Sequence, residues 1–383
     1  KLKRTAIHYA VKANANPEIL KLIKKNNCGV DVVSIGELLH ALKVGFKAEQ
    51  IIFSGVGKTK SELAHAIQKK IKQINVESPQ ELERILLISK EIGRAANIGL
   101  RINPNINAKT HPYITTGIRK NKFGINISDL AKIKKLLIEN PEHLKLKGLS
   151  VHIGSQITAL NAFAEAFKFV IALYKKMRNE GFLIDRIDIG GGLGIDYQQD
   201  GKKDFEKIKQ YAEMVTKSFA GLDVEVMLEP GRILVARSGL LVTEVQYIKN
   251  NGPINFAVVD TGMHHLIRPA LYQAYHRISA LMQHEGPKIK YQIVGPICES
   301  SDFLAVDRPL SPLYQGDILC IHDCGAYGFS MASNYNLQDL PAEFYIRSKK
   351  VWFGVIIALE IPQRIVLRAK WSRGLFRRFS WGF

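Results

Sequence analysis

Residues 6–25 read Ala6-Ile7-His8-Tyr9-Ala10-Val11-Lys12-Ala13-Asn14-Ala15-Asn16-Pro17-Glu18-Ile19-Leu20-Lys21-Leu22-Ile23-Lys24-Lys25. A short β-rich run, Ala6 to Ala13, gives way through an asparagine-rich break to an amphipathic stretch, Pro17 to Lys25. The same unit recurs along the chain to about Arg237. Further strand candidates are Gly29 to Ser34, Ile51 to Gly55, Gln73 to Ser78, Asn97 to Pro104, Leu146 to Ser155, Arg186 to Gly192 and Glu225 to Gly231. Helix-like segments follow them, among them Gly36 to Leu42, Pro79 to Ile92 and Ala162 to Asn179. Parallel neighbours need crossover connections, and eight of them close a sheet on itself, so the pattern predicts a (β/α)8 barrel of the TIM type. An open doubly wound sheet is the alternative. Against it, no G-x-G-x-x-G opens the first helix, and polar residues collect at the carboxyl ends of many strands.

After Arg237 the texture changes to short strands without long helices: Leu240 to Ile248, Phe256 to Asp260, Tyr291 to Val294 and Asp317 to His322. This predicts a C-terminal β domain of sandwich or barrel-like form, with Met263 to His276 an ordered loop containing some helix. The expected division is 1–237 for the barrel, 238–347 for the β domain and 348–383 for a basic tail.

Lys and Arg number 54 against 35 Asp and Glu, a formal net charge of +19. From Phe344 onward nine Lys/Arg face one acid, Glu360, so much of the excess sits in the tail. The rest falls on helix-like stretches such as Lys21 to Lys25, where a solvated face explains it. Neither nucleic acid nor membrane is therefore expected as a partner. The longest apolar run, Val351 to Leu359, is too short to span a bilayer. Four scattered cysteines form neither a disulfide framework nor a zinc site, so no metal is expected and a reducing, cytoplasmic setting fits. The chain opens on Lys1 and runs at once into a strand, from which a missing amino-terminal segment is expected.

Catalytic groups of such barrels sit where strands end at the carboxyl face. Lys12 closes the first strand, where an amine is costly unless neutralised or used covalently. A snorkelling lysine would look the same. The seventh strand ends in Asp188-Ile189-Gly190-Gly191-Gly192-Leu193-Gly194 and the eighth in Glu229-Pro230-Gly231-Arg232. Backbone N–H groups free of side chains, followed by a helix start and a guanidinium, suit a phosphate. His152 and Ser155 end the sixth strand and could stack on a flat ring and bind phosphate. Glu229 could face a pyridine nitrogen or cap the following helix. From the β domain, Arg268 and Tyr272 lie four apart, aligned on one helical face to grip a carboxylate. Cys298 and Glu299 follow a Gly-Pro turn, and Tyr327 completes the set.

These motifs, together with Thr110-His111-Pro112-Tyr113, Asn121-Lys122-Phe123-Gly124-Ile125 and Ser330-Met331-Ala332-Ser333-Asn334-Tyr335-Asn336, resemble the alanine-racemase-like, fold type III decarboxylases that depend on pyridoxal 5'-phosphate (PLP). The branch acting on meso-2,6-diaminopimelate is nearest. The resemblance runs from about His8 to Glu343. It implies an imine between PLP and Lys12, and a ring stacked on His152. Ser155, Gly191, Gly192, Glu229, Pro230, Gly231, Arg232 and Tyr327 would hold the cofactor, with Arg232, Arg268, Tyr272, Glu299 and Tyr327 on the substrate. Cys298 is implied as proton donor, and it and Glu299 would cross to a second subunit, making a homodimer with shared sites. The implied reaction yields L-lysine and CO2. Ornithine- or arginine-type decarboxylation and an inactive truncated remnant are the alternatives. Three departures stand out: His264-His265 replaces the usual Asn-Asp, Leu337 to Leu340 lacks the usual basic pattern, and the resemblance stops beyond Arg347.

Overall fold

In the computed structural model, residues 2, 4–108, 111–114, 116–117, 121–347 and 350–353 are described. Thr110 and the tail from 354 onward lie outside the described residues. Eight parallel strands close a barrel in sequence order: β1 (Arg4–Ala10), β2 (Gly29–Val32), β3 (Ile51–Phe53), β4 (Gln73–Val76), β5 (Ala96–Arg101), β6 (Leu144–Ser150), β7 (Arg186–Asp188) and β8 (Glu225–Leu228). Closure is direct, with β1 paired to both β2 and β8. The expected barrel is therefore present. The strands are shorter than the sequence suggests, because the polar and glycine-rich residues placed at their ends belong to loops.

Helices α1 (Pro17–Lys25), α2 (Ile35–Val44), α3 (Lys60–Lys69), α4 (Pro79–Ile92), α5 (Leu130–Glu139), α6 (Asn161–Asn179) and α7 (Asp204–Ser218) ring the barrel, and α8 (Arg232–Val235) is a single turn. The early ones start on side-chain caps. Asn16 accepts from the Glu18 N–H at 2.9 Å, Ser34 from Glu37 at 3.2 Å, Ser78 from Glu81 at 3.1 Å, and Thr59 with Glu62 forms a capping box. Each cap aims a helix start at the barrel's upper face.

Strand residues such as Val30, Val32, Phe53, Ile74, Leu100, Leu149 and Ile187 are buried against those helices. The interior is more polar than a stack of branched aliphatics. Gln73 fills its lower part, and Gly99 and Gly148 are bare because a Cβ there would lie 2.2 and 2.8 Å from its amide.

Beyond the barrel, β9 (Leu241–Asn251), β10 (Ile254–Val259), β11 (Ile278–Ala280), β12 (Ile289–Val294), β13 (Phe303–Leu310) and β14 (Ile318–Ile321) form one sheet in the order β11-β14-β9-β10-β12-β13. The described strands thus form one hydrogen-bonded series of six. The long strand β9 explains it: its first half pairs with β14 and its second with β10. A separate apolar core including Val245, Tyr291, Ile293 and Leu319 lies on this sheet. Met263 to His276 contains α9 (Arg268–Tyr272), and barrel and sheet fall in one compact unit, Lys1–Leu340. In the second unit, Pro341–Phe383, the antiparallel strands Phe344–Arg347 and Lys350–Phe353 run across the expected boundary at 347. Among the described residues no helix is long and apolar enough to cross a membrane.

Candidate active site

Tyr9, next to last in β1, donates its hydroxyl to the Asn14 carbonyl at 2.9 Å, and the Asn14 N–H returns to Val11. The intervening Val11–Ala13 forms one 3-10 turn, so Lys12 sits just past the strand rather than within it. Its ammonium lies 2.7 Å from Asp31 Oδ2, at the end of β2. Burial works against the charge, but Asp31, Tyr327 and Glu229 outweigh it and hold the lysine above its ordinary range. This is not the snorkelling arrangement. Asp31 is fully buried, and its Oδ1 has no hydrogen-bond partner among the described residues.

Beneath Lys12 the barrel mouth is floored by carboxyls. Glu229 does not cap α8, whose N-cap is Gly231; its side chain turns inward, 3.5 Å from Ser54 Oγ and from Asn75 Nδ2. Asp188 accepts from Asn75 at 3.1 Å, from Ser150 at 3.3 Å and from the Gly190 N–H at 2.9 Å. Burial raises the Glu229 carboxyl well above its usual range, and the neighbouring Asp188 and Asp31 raise it further. Burial raises Asp188 as well, against its hydrogen bonds. Glu229 is the better-placed proton holder, since Asp188 has three donors to stabilise its anion.

The loop after β7 lies against the one after β8. A Cβ on Gly191 would stand 2.0 Å from the Glu229 carbonyl, and one on Gly192, where φ is +103°, would stand 2.3 Å from the Gly154 carbonyl. Only glycine leaves this cradle of backbone amides open. His152, past β6, accepts from the Gly191 N–H at Nδ1, 3.1 Å away. Burial, then Arg101 and Lys12, keep its imidazole neutral. Gly231 packs on Ala10 and Ala13, which brings the start of α8 to Lys12. These residues fit PLP: an amine, a neutral imidazole, a side-chain-free amide cradle and a buried carboxyl converge at one barrel mouth.

Arg232, first in α8, donates to Tyr197 Oη at 2.7 Å and Ser155 Oγ at 3.1 Å, with the Tyr327 ring 4.7 Å away. Tyr327 is itself tied to Ala13, its N–H donating to that carbonyl at 2.8 Å. Arg268 stacks 4.4 Å over Tyr197. Both guanidinium groups are buried; among the described residues their Nε atoms have no partner and their hydrogen bonds go only to neutral groups. Two buried cations without a carboxylate are costly unless an anion joins them. They line a cavity of about 510 Å³ together with His111 and Tyr272, whose rings meet edge to face at 5.7 Å.

Cys298 and Glu299 are not brought to this group in the single chain. Cys298 is exposed, and its N–H donates to Asn336 Oδ1 at 3.2 Å. Glu299 is exposed too and bonded to Tyr335 and Ser301. One carboxylate, Asp302, accepts from the Ile297 N–H just before Cys298 and from the Met263 N–H, at 2.7 and 2.6 Å. The loop between them and Arg268 is kept despite the His264-His265 departure, His265 bridging Thr261 and the Asp339 carbonyl at 2.8 Å each. Reading the sequence missed Asp31, Asn75, Ser54 and Tyr197. Asp31 carries a usable signal, an acid inside the apolar run Gly29-Val30-Asp31-Val32-Val33, which has to be paired when buried. Tyr197 carries none.

Residues 1–236 match the family described as pyridoxal-dependent decarboxylase, pyridoxal binding domain. Curated relatives named diaminopimelate decarboxylase include those of Aquifex aeolicus, 41% identical over 90% of this chain and 81% of that protein, and Campylobacter jejuni, 43% identical over 92% and 86%. Among solved structures, diaminopimelate decarboxylase from Helicobacter pylori complexed with L-lysine superposes with a TM-score of 0.85 at 39% identity, covering 91% of this chain and 86% of that one. The chain belongs to the pyridoxal-dependent decarboxylases and, within them, to the diaminopimelate decarboxylases.

Proposed function

We propose that this chain decarboxylates meso-2,6-diaminopimelate to L-lysine and CO2, with PLP carried on Lys12. The observation that carries the reading is the pair of buried guanidinium groups of Arg232 and Arg268 beside the Lys12 mouth, with no carboxylate bound to them among the described residues. A substrate with a second carboxylate supplies what they lack, whereas the single carboxylate of ornithine or arginine is the one that decarboxylation removes. The Helicobacter pylori relative was solved with L-lysine, whose one carboxylate suits the same pair.

When bound, PLP supplies an electron sink for the charge left as CO2 departs. The glycine cradle, Ser155, Pro230, Gly231 and Arg232 hold it, His152 presents a neutral ring to it, and Glu229 keeps a proton at its floor. Lys12, once its nitrogen is free, stays at the mouth because Asp31 binds its ammonium. Arg268, Arg232 and Tyr272 orient the distal carboxylate. Tyr327 spans cofactor and substrate. Residues 1–237 serve as the cofactor-binding domain, and the β domain that follows, to Leu340 in the same compact unit, closes the site.

Cys298 and Glu299 reach the site of a second copy of this chain, Cys298 donating the closing proton and Glu299 reading the distal amino group. Their exposure, and the lack of any bond from them to the Lys12 group among the described residues, support a shared-site homodimer. Coexpression of a Lys12→Ala chain with a Cys298→Ala chain tests this. Each variant alone is expected to be inactive on meso-diaminopimelate. Random pairing makes half the dimers mixed with one intact site of two, so roughly a quarter of the wild-type activity returns. Mixed dimers that form but recover nothing refute the shared site.

A further inference from the structure

We propose that His276 is a positioning residue that sets the Arg268 guanidinium for the substrate carboxylate. The proposal rests on the reading of Arg232 and Arg268 as a carboxylate grip, and concerns how that grip is aimed. His276 follows α9 and is fully buried. Its Nε2 lies 2.6 Å from Arg268 Nη1, and its Nδ1 lies 2.8 Å from the His322 carbonyl.

The partners dictate the tautomer. A guanidinium only donates and a carbonyl only accepts, so Nε2 offers a lone pair to Arg268 while Nδ1 carries the hydrogen. Protonating the ring would set two cations against each other at hydrogen-bond distance. Burial, then Arg268, pushes the imidazole down to about 3, which keeps it neutral. The ring is fixed on other sides too. It meets Tyr197 edge-on at 5.1 Å, and Arg308 donates to its backbone carbonyl at 2.8 Å. Cys324 Sγ is 3.8 Å from Nδ1, its thiol held neutral because burial pushes it up to about 12.

Arg268 therefore has one face on Tyr197 and one Nη1 hydrogen committed to His276, with no other described hydrogen bond. Both constraints come from rigid, neutral rings. They leave the rest of the planar fork free for a carboxylate, and a fork already aimed loses less freedom on binding. Tyr197 also accepts from Arg232 at 2.7 Å, so the two rings rack both cations around one anion position.

The test compares L-lysine with 1,5-diaminopentane, the same molecule without its carboxylate, as ligands of the PLP-loaded protein, measured by calorimetry without turnover. Wild type is expected to bind L-lysine more tightly. His276→Phe keeps the ring but not the acceptor, and is expected to lose roughly 10- to 100-fold in L-lysine affinity with the diamine unchanged. His276→Gln, whose amide can both accept and donate, should stay within about threefold of wild type. A His276→Phe protein that keeps the full preference for L-lysine, or weakens for both ligands alike, overturns the proposal. A wild type without any preference refutes the carboxylate grip itself. Nitrogen NMR of histidine-labelled wild type, assigned against His276→Gln, gives a further reading that needs no Phe variant. A neutral ring with hydrogen on Nδ1 is expected; hydrogen on Nε2 overturns the proposal.

Discussion

Replacing Lys12 by alanine is expected to abolish both the yellow colour of lysine-bound pyridoxal and decarboxylation, the latter by a factor on the order of 10⁴ or more, as for other covalent catalysts. No other described lysine stands at this mouth: Lys58, the buried lysine among the described residues, is spent on the Gly55 and Asn75 carbonyls and on Glu81. Alanine has a second effect that must be separated from the first. It leaves the fully buried Asp31 carboxylate without its ammonium partner, which destabilises the fold. Lys12→Arg is the control. It returns a cation to Asp31 but cannot condense with an aldehyde, so the expected protein is folded, colourless and inactive. Absorbance after PLP addition, with a thermal melt of each variant, checks this. A yellow Lys12→Arg protein would refute the assignment.

Glu229→Gln is expected to lower kcat by about 10²–10³-fold, the scale of one preorganised electrostatic contact, and to move KM little. The glutamine fills the same space beside Ser54 and Asn75 but cannot become an anion. Its effect on stability has the opposite sign. Burial, Asp188 and Asp31 raise the folded carboxyl of Glu229 above its ordinary value of 4.5, so its contribution is fully present below that value. That contribution is lost as pH rises from 4.5 through the raised folded value. In PLP-free protein at neutral pH the substitution therefore relieves the cluster, and Glu229→Gln should melt higher than wild type. A variant that loses both stability and kcat would mean that Glu229 acts only as packing.

The barrel was legible because its signal is repeated: eight apolar runs with amphipathic stretches between them leave few alternatives, although each run on its own is ambiguous. Their ends were not. Lys12, Gly190 to Gly192 and Glu229 to Gly231 continue the apolar or turn-like texture of the strands, and only hydrogen bonds such as Asn14 to Val11 show where the ladder stops. In the sheet, β11 and β13 escaped notice because Ile278–Ala280 is three residues long and Phe303–Leu310 contains Asp307, Arg308 and Pro309. Candidate site residues with a chemical signature stand out in the sequence, the lysine and the glycine loops above all. The supports were not: a lone tyrosine or histidine has no signature until the fold sets Tyr197 and His276 against the arginines.

The most direct measurement offers the purified chain, loaded with PLP, meso-diaminopimelate, L-ornithine and L-arginine in parallel, and quantifies CO2 and the amine product of each. Equal amounts of CO2 and L-lysine from meso-diaminopimelate, with nothing from the other two, is the predicted result. CO2 from ornithine or arginine but not from meso-diaminopimelate, or none at all from a folded yellow protein, would contradict it.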